Sequence, residues 1–181
     1  MKIDVIETVS GPRLEDAWLL YAEVFDELRY RAVQRHVLDR DEFDAVMADP
    51  RVGKHLALDG GCALRGLSTY TNDLRAVPLI SPEYFQRRWP DLFEQGRIWY
   101  CGLVAVRPGA ESSGVFAALI ESMYRITEAG AGIVAIDLCR YNDEVLRMSR
   151  AVHLLLHRFS GGVRGTRLDQ QSYWVYEFPT T

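Results

Sequence analysis

Cysteine is scarce in this chain: Cys62, Cys101 and Cys139 are an odd count with no CxxC spacing. A disulfide framework or a thiolate zinc site is disfavoured, and a reducing compartment is the expectation. Long hydrophobic runs are missing too. The longest, Ile98–Val106, is nine residues and includes Gly102, against about 20 for a membrane-crossing helix. Residues 1–4 (MKID) lack a signal-peptide core, so the expected location is the cytoplasm, with no membrane partner. Nor does one charge dominate. The 25 acidic and 21 basic residues leave a formal charge of −4, which gives no bulk attraction to nucleic acid. Repeats and low-complexity tracts are also wanting. What remains is a globular balance, 48% hydrophobic and 25% charged over 181 residues. That length suits a single domain spanning 1–181.

Periodicity orders the chain. Residues 2–9 alternate as a first strand, broken by Ser10-Gly11-Pro12. Leu14, Trp18, Tyr21, Phe25 and Leu28 recur at helical spacing, and a second helix is expected over 33–49. Strands at 54–58 and 62–71 flank Asp59-Gly60-Gly61, a hairpin signal. An excursion over about 72–96 is interrupted by Pro78, Pro82 and Pro90, with a short helix expected near 82–93. Excursions of this length often carry substrate contacts. Residues 97–106 read as a strand buried on both faces and 107–114 as a polar loop. An amphipathic helix follows to Ala129, then a strand at 133–138, a helix starting near Asn142, and two terminal strands at 164–168 and 172–178. The class implied is α/β with a mixed sheet.

The segment from Leu103 to Leu119 has the form buried strand, small-residue loop, amphipathic helix. Unpaired first-turn N–H groups and the positive dipole end make such a loop an anion site. Gly114 permits close approach, and Ser112 and Ser113 offer hydroxyl donors; an ordinary strand-to-helix connection capped by a serine is the equally open alternative. Val106-Arg107-Pro108 followed by Gly114 resembles motif A of the GNAT acyltransferase superfamily, and the element order resembles that fold, a mixed, mostly antiparallel sheet with helices on both faces. The resemblance implies an N-acyltransferase that moves an acetyl or longer acyl group from acetyl-CoA or another acyl-CoA to a small-molecule or protein amine. It places the donor on Val104, Ala105 and Val106 of the strand and on Ser112, Ser113, Gly114, Val115 and Phe116 of the loop. Asn142 corresponds to an asparagine that contacts the pantetheine arm. Two positions depart from the pattern: Glu111 stands where Arg or Gln is usual, and Phe116 where a second small residue is usual. The family's frequent tyrosine is missing; Ser149 lies about there, with His153 one turn later. A fainter likeness, over residues 38–44 and 89–93, is to the autoinducer-synthase and N-acyl amino acid synthase branch, which implies acyl carrier protein as a less favoured donor. A non-catalytic binding or oligomeric protein with a degenerate donor loop is the rival reading, and a homodimer is a further expectation.

Acyl transfer to an amine needs a base for the amine, donors for the oxyanion and a proton for the thiolate. Gly102 would permit a bulge that opens a slot for the donor. Asp73 and Asp137 are candidate bases, and Ser149 and His153 candidate proton donors. Tyr173 and Tyr176 read as core residues or acceptor-pocket lining. His153 and His157 lack a third ligand, so no metal is expected. Cys101 and Cys139 read as buried hydrophobes, and Arg35, Arg40, Arg87 and Arg88 as solvated.

Overall fold

The computed structural model describes residues 1–33, 37–78, 80–109 and 111–178. Its sheet has five strands in the order β1 (Lys2–Ile6), β2 (Gly53–Leu58), β3 (Leu64–Thr71), β4 (Ile98–Val106) and β5 (Ile133–Ile136). The first four are antiparallel neighbours; β4 and β5 are parallel. The parallel pair requires a crossover, supplied by α6 (Ser112–Ala129). The Asp59 carboxylate accepts from the N–H groups of Gly61 and Ala63, which sets the turn between β2 and β3.

One face of the sheet carries α1 (Pro12–Phe25) and α3 (Arg40–Ala48). Leu20, Tyr21 and Phe43 pack there against Leu56, Leu67 and Ala105. Among the described residues of 33–49 the helix is α3; the short α2 (Leu28–Arg31) precedes it, and Arg35 lies outside the described residues. The reason is local. Asp39 accepts from the Glu42 N–H while Glu42 accepts from the Asp39 N–H, a reciprocal cap that starts the helix there. The excursion forms a 3₁₀ turn (Leu74–Ala76) and two short helices, α4 (Pro82–Arg88) and α5 (Pro90–Glu94), because Pro90 cannot continue α4. Leu74 and Phe85 cover Ile98 and Tyr100 on the α1 face.

The other face carries α6 and α7 (Met148–Ser160). Gly66 sits under α6; a Cβ there would lie 2.7 Å from Val115 and 2.9 Å from Leu119. The helix therefore packs close to the sheet only because position 66 has no side chain.

The two expected terminal strands are not formed. Residues 163–178 adopt neither helix nor strand, and Tyr173 and Tyr176 are exposed rather than packed in the core. Alternating aromatic and β-branched residues give a segment strand propensity, but a strand exists only where a sheet edge receives it. No helix among the described residues is long and apolar enough to cross a membrane.

Candidate active site

The site begins with a change of parity in β4. Trp99 and Cys101 face α6 and α7 before Gly102, and Val104 and Val106 face α6 after it. An extra residue in one strand does this. The register of β3 against β4 moves from Thr69–Leu103 to Tyr70–Cys101, leaving Gly102 unopposed. A Cβ at Gly102 would meet Thr69 Oγ1 at 2.8 Å, and that same oxygen accepts the Leu103 N–H at 3.1 Å. The bulge expected from sequence is thus stabilised by a threonine hydroxyl that sequence reading passed over.

Beyond the bulge the sheet splits. The β4–β5 ladder ends at Cys101–Ile136, so Gly102–Val106, still paired to β3 on one side, has no strand on its β5 side among the described residues. Val104, Ala105 and Val106 lie on this open edge. Their side chains are in the core, Val104 and Val106 under α6 and Ala105 under α1, so main-chain groups are what they offer a ligand. The loop from Arg107 leads to Ser112, the first residue of α6. Glu111 is the N-cap residue and makes no side-chain cap bond; it is exposed. Ser113 and Gly114 are exposed in the first turn, whereas Val115 is buried against Ala57 and Leu119. Phe116 fills the seam between α6 and α7 with Val152 and Leu155. That packing accounts for an aromatic residue where a small one was expected.

Across the split, Asn142 lies in a π-helical turn (Tyr141–Val145) between β5 and α7. The front half reaches this wall: the Arg31 guanidinium lies over the Tyr141 ring, 5.3 Å from its centroid. Asp137 follows β5 directly, at the level of the bulge, and accepts from the Tyr100 hydroxyl at 2.5 Å. Burial, reinforced by the Asp137 charge, raises the Tyr100 phenol well above its usual value, so it stays protonated. Burial pushes the Cys101 thiol up to about 12, which leaves it a thiol near neutrality.

Asp73, Ser149 and His153 do not form one constellation. Asp73 caps the 3₁₀ turn through its bond to the Arg75 N–H and lines a shallow recess with Asn72, Phe93 and Ile98. It lies near the start of β4, roughly 13 Å along the strand from the bulge at about 3.3 Å per residue. Ser149 opens α7 on the opposite face and donates to Asp143, whose other oxygen accepts from Arg167 at 2.8 Å. His153 is exposed one turn on, its ring stacked on that of His157 at 6.4 Å. Among the described residues no group of three His, Cys, Asp or Glu side chains is placed to hold a metal ion. Tyr100 as the partner of Asp137 was missed from sequence, since 37 residues separate them and only the parallel pairing of β4 and β5 brings them together.

No protein-family model matches the chain, and no curated protein does. Solved structures do. An aminoglycoside acetyltransferase from an uncultured soil metagenomic sample, in complex with trehalose, aligns with TM-score 0.52 and 13% identity over 98% of this chain and 96% of its own. A probable acetyltransferase aligns with TM-score 0.56 and 11% identity, covering 98% and 99%. A ribosomal-protein-alanine N-acetyltransferase from Brucella melitensis biovar Abortus 2308 aligns with TM-score 0.50 and 15% identity, covering 97% of each chain. The chain thus shares the fold of these acetyltransferases over nearly its whole length.

Proposed function

We propose that this protein is an N-acyltransferase that moves an acetyl or longer acyl group from acyl-coenzyme A to a primary amine by direct attack. The observation that carries the reading is the split between β4 and β5 at Gly102, which runs into the N-terminus of α6. A thioester donor needs an extended slot for its arm and positive partial charge for its phosphates, and the free edge of 102–106 and the first turn of α6 offer the two in series. The donor is a substrate here. Val104, Ala105 and Val106 would hold its arm through main-chain groups, and Ser112, Ser113 and Gly114 its diphosphate.

The chemistry assigned to the chain is proton handling. The amine attacks the thioester carbonyl, the C–N bond forms and the C–S bond breaks. The amine proton passes to Asp137, which the protonated Tyr100 hydroxyl holds in place at 2.5 Å. The departing thiolate takes a proton from the α7 side, where Ser149 and His153 lie. Asp137 is a better base candidate than Asp73 because it stands level with the bulge. The acceptor approaches between α2 and Tyr141.

Glu111 supports a second reading, a protein of the same fold whose donor loop no longer binds coenzyme A. Its charge stands at the helix N-terminus that would receive the diphosphate, and Arg107, the basic residue of the loop, pairs with Glu23 at 2.9 Å. One experiment separates the readings. Under the first, acetyl-CoA raises the melting temperature and is consumed in the presence of primary amines. No shift at millimolar acetyl-CoA, with binding appearing only in Glu111→Arg, establishes the second. Consumption of a long-chain acyl carrier protein thioester, with acetyl-CoA untouched, would reassign the donor.

A further inference from the structure

Charge is divided unevenly along this chain. Residues 140–168 hold six arginines against Asp143 and Glu144, a surplus of four positive charges, which leaves −8 on the remainder of a chain whose formal total is −4. The surplus gathers on the outer face of α7, a helix without Asp or Glu. At helical spacing Val152, Leu155, Leu156 and Phe159 fall on one side, where they pack with α6 and the sheet. Arg147, Arg150, His153, Leu154, His157 and Arg158 fall on the opposite arc, and all are exposed. A Cβ at Gly165 would lie 3.6 Å from His153 Nδ1, so Arg164 stands at the edge of the same arc. Asp143 and Glu144 are taken by Arg167 and Arg140. Arg147, Arg150, Arg158 and Arg164 make no ion pair or side-chain hydrogen bond among the described residues. Arg147 also has a left-handed backbone, φ 54, which favours glycine or asparagine, so the arginine stands there at a conformational cost that no bond of its side chain offsets. Three like charges on about 16 Å of helix, with a fourth beside them, repel one another until anions come between them.

We propose that the outer face of α7 docks an acidic protein, through a partner helix that carries carboxylates on either side of an apolar residue. Charge complementarity selects the class of partner, and spacing selects the element. Arg150, Leu154 and Arg158 follow one another at steps of four residues, about 6 Å along the axis. A helix with Glu, Leu and Glu at the same steps would set a carboxylate in the fork of each guanidinium and a leucine on Leu154. Leu154, 58% exposed, is the apolar centre that such an interface needs, and the arginines form its charged rim. An anionic bilayer fits less well, because four arginines and one leucine adsorb only weakly. Nucleic acid also fits less well. The arc holds no aromatic ring to stack a base, and a duplex running past the helix would meet the acidic remainder of the chain. The face is one helix wide, so the contact is small, quick to form and sensitive to salt. The inference does not depend on the catalytic reading.

Fluorescence anisotropy tests it, with the full chain titrated into a labelled synthetic helical peptide that carries Glu, Leu and Glu at four-residue steps. The wild type should bind, and binding should weaken about tenfold or more between roughly 50 and 300 mM salt. The double variant Arg150→Glu, Arg158→Glu should lose binding by a similar factor at low salt, with an unchanged far-ultraviolet circular dichroism spectrum. Leu154→Ala should weaken binding at every salt concentration. The same charge reversal on α4, Arg87→Glu with Arg88→Glu, should leave binding as in the wild type, because those exposed arginines lie outside the arc. Failure of the wild type to bind the peptide overturns the proposal, as does equal binding by the α7 double variant. Tighter binding of phosphatidylserine vesicles, or of a single-stranded oligonucleotide, overturns it too, by assigning the face to lipid or to nucleic acid.

Discussion

His55 offers the sharpest test of the packing between α6 and the sheet. It lies on β2 with 1% of its surface exposed, its Nδ1 2.8 Å from Ser122 Oγ on α6 and its ring edge-on to Tyr70. Burial lowers its pKa from 6.5 to about 4. Between those values the unfolded chain binds a proton that the folded chain refuses. Stability is therefore complete above pH 6.5 and falls as pH drops toward 4, where the loss levels off. At about 1.4 kcal/mol per pH unit the interval amounts to roughly 3 kcal/mol, a large part of the 5–15 kcal/mol that typically holds a domain together. Urea unfolding at steps from pH 7.5 to 4.5 measures it. His55→Gln keeps a hydrogen-bonding group near Ser122 but cannot charge. It should lower stability at pH 7.5 by about 1–2 kcal/mol through looser packing, and its slope below pH 6.5 should be much shallower than that of the wild type. The Asp49 carboxylate, held down to about 2 chiefly by its hydrogen bond to Arg51, loses its contribution only as pH falls from 3.8 toward 2, below the window. Parallel slopes for the two proteins would refute the assignment of the acid loss to His55.

Three further outcomes follow from single atoms. Gly132→Ala drives a Cβ into the Arg97 carbonyl oxygen, where the turn after α6 meets β4; urea unfolding should show a loss of about 2 kcal/mol or more. Ser68 is fully buried, and its hydroxyl has no hydrogen-bond partner among the described residues. Ser68→Ala should be neutral or stabilising by up to about 1 kcal/mol in the same assay, against the usual cost of a core substitution. Glu111→Gln removes a like charge from the proposed diphosphate site, so calorimetry should find coenzyme A bound about tenfold more tightly at low salt, with the gain shrinking as salt rises.

Several parts of the site were legible in sequence because they depend on neighbours along the chain. A buried strand, a small-residue loop and an amphipathic helix identified β4, its loop and α6, and Gly102 marked the bulge. Phe116 looked out of place only because its partners Val152 and Leu155 come from a helix more than thirty residues later. Leu38 to Asp44 resembled a family segment, and in the fold it is a capping box and the first turns of α3. The tail was misread for the converse reason: residues 172–178 have the pattern of a strand, but pattern supplies no partner edge.

Sequence by itself determined the class of the fold, the order of its elements as far as α7 and the place where a small-residue loop meets a helix, since periodicity, glycine and proline act over one or two turns of chain. Tertiary structure alone decided which acid stands beside the split. Asp73 and Asp137 are both strand-end aspartates, yet parallel pairing puts Asp137 on Tyr100 while antiparallel pairing carries Asp73 to the far end of β4. It also decided that His55 is neutral and sealed. Each depends on desolvation or on hydrogen bonds between residues distant in the chain, which take their values only once the sheet has assembled.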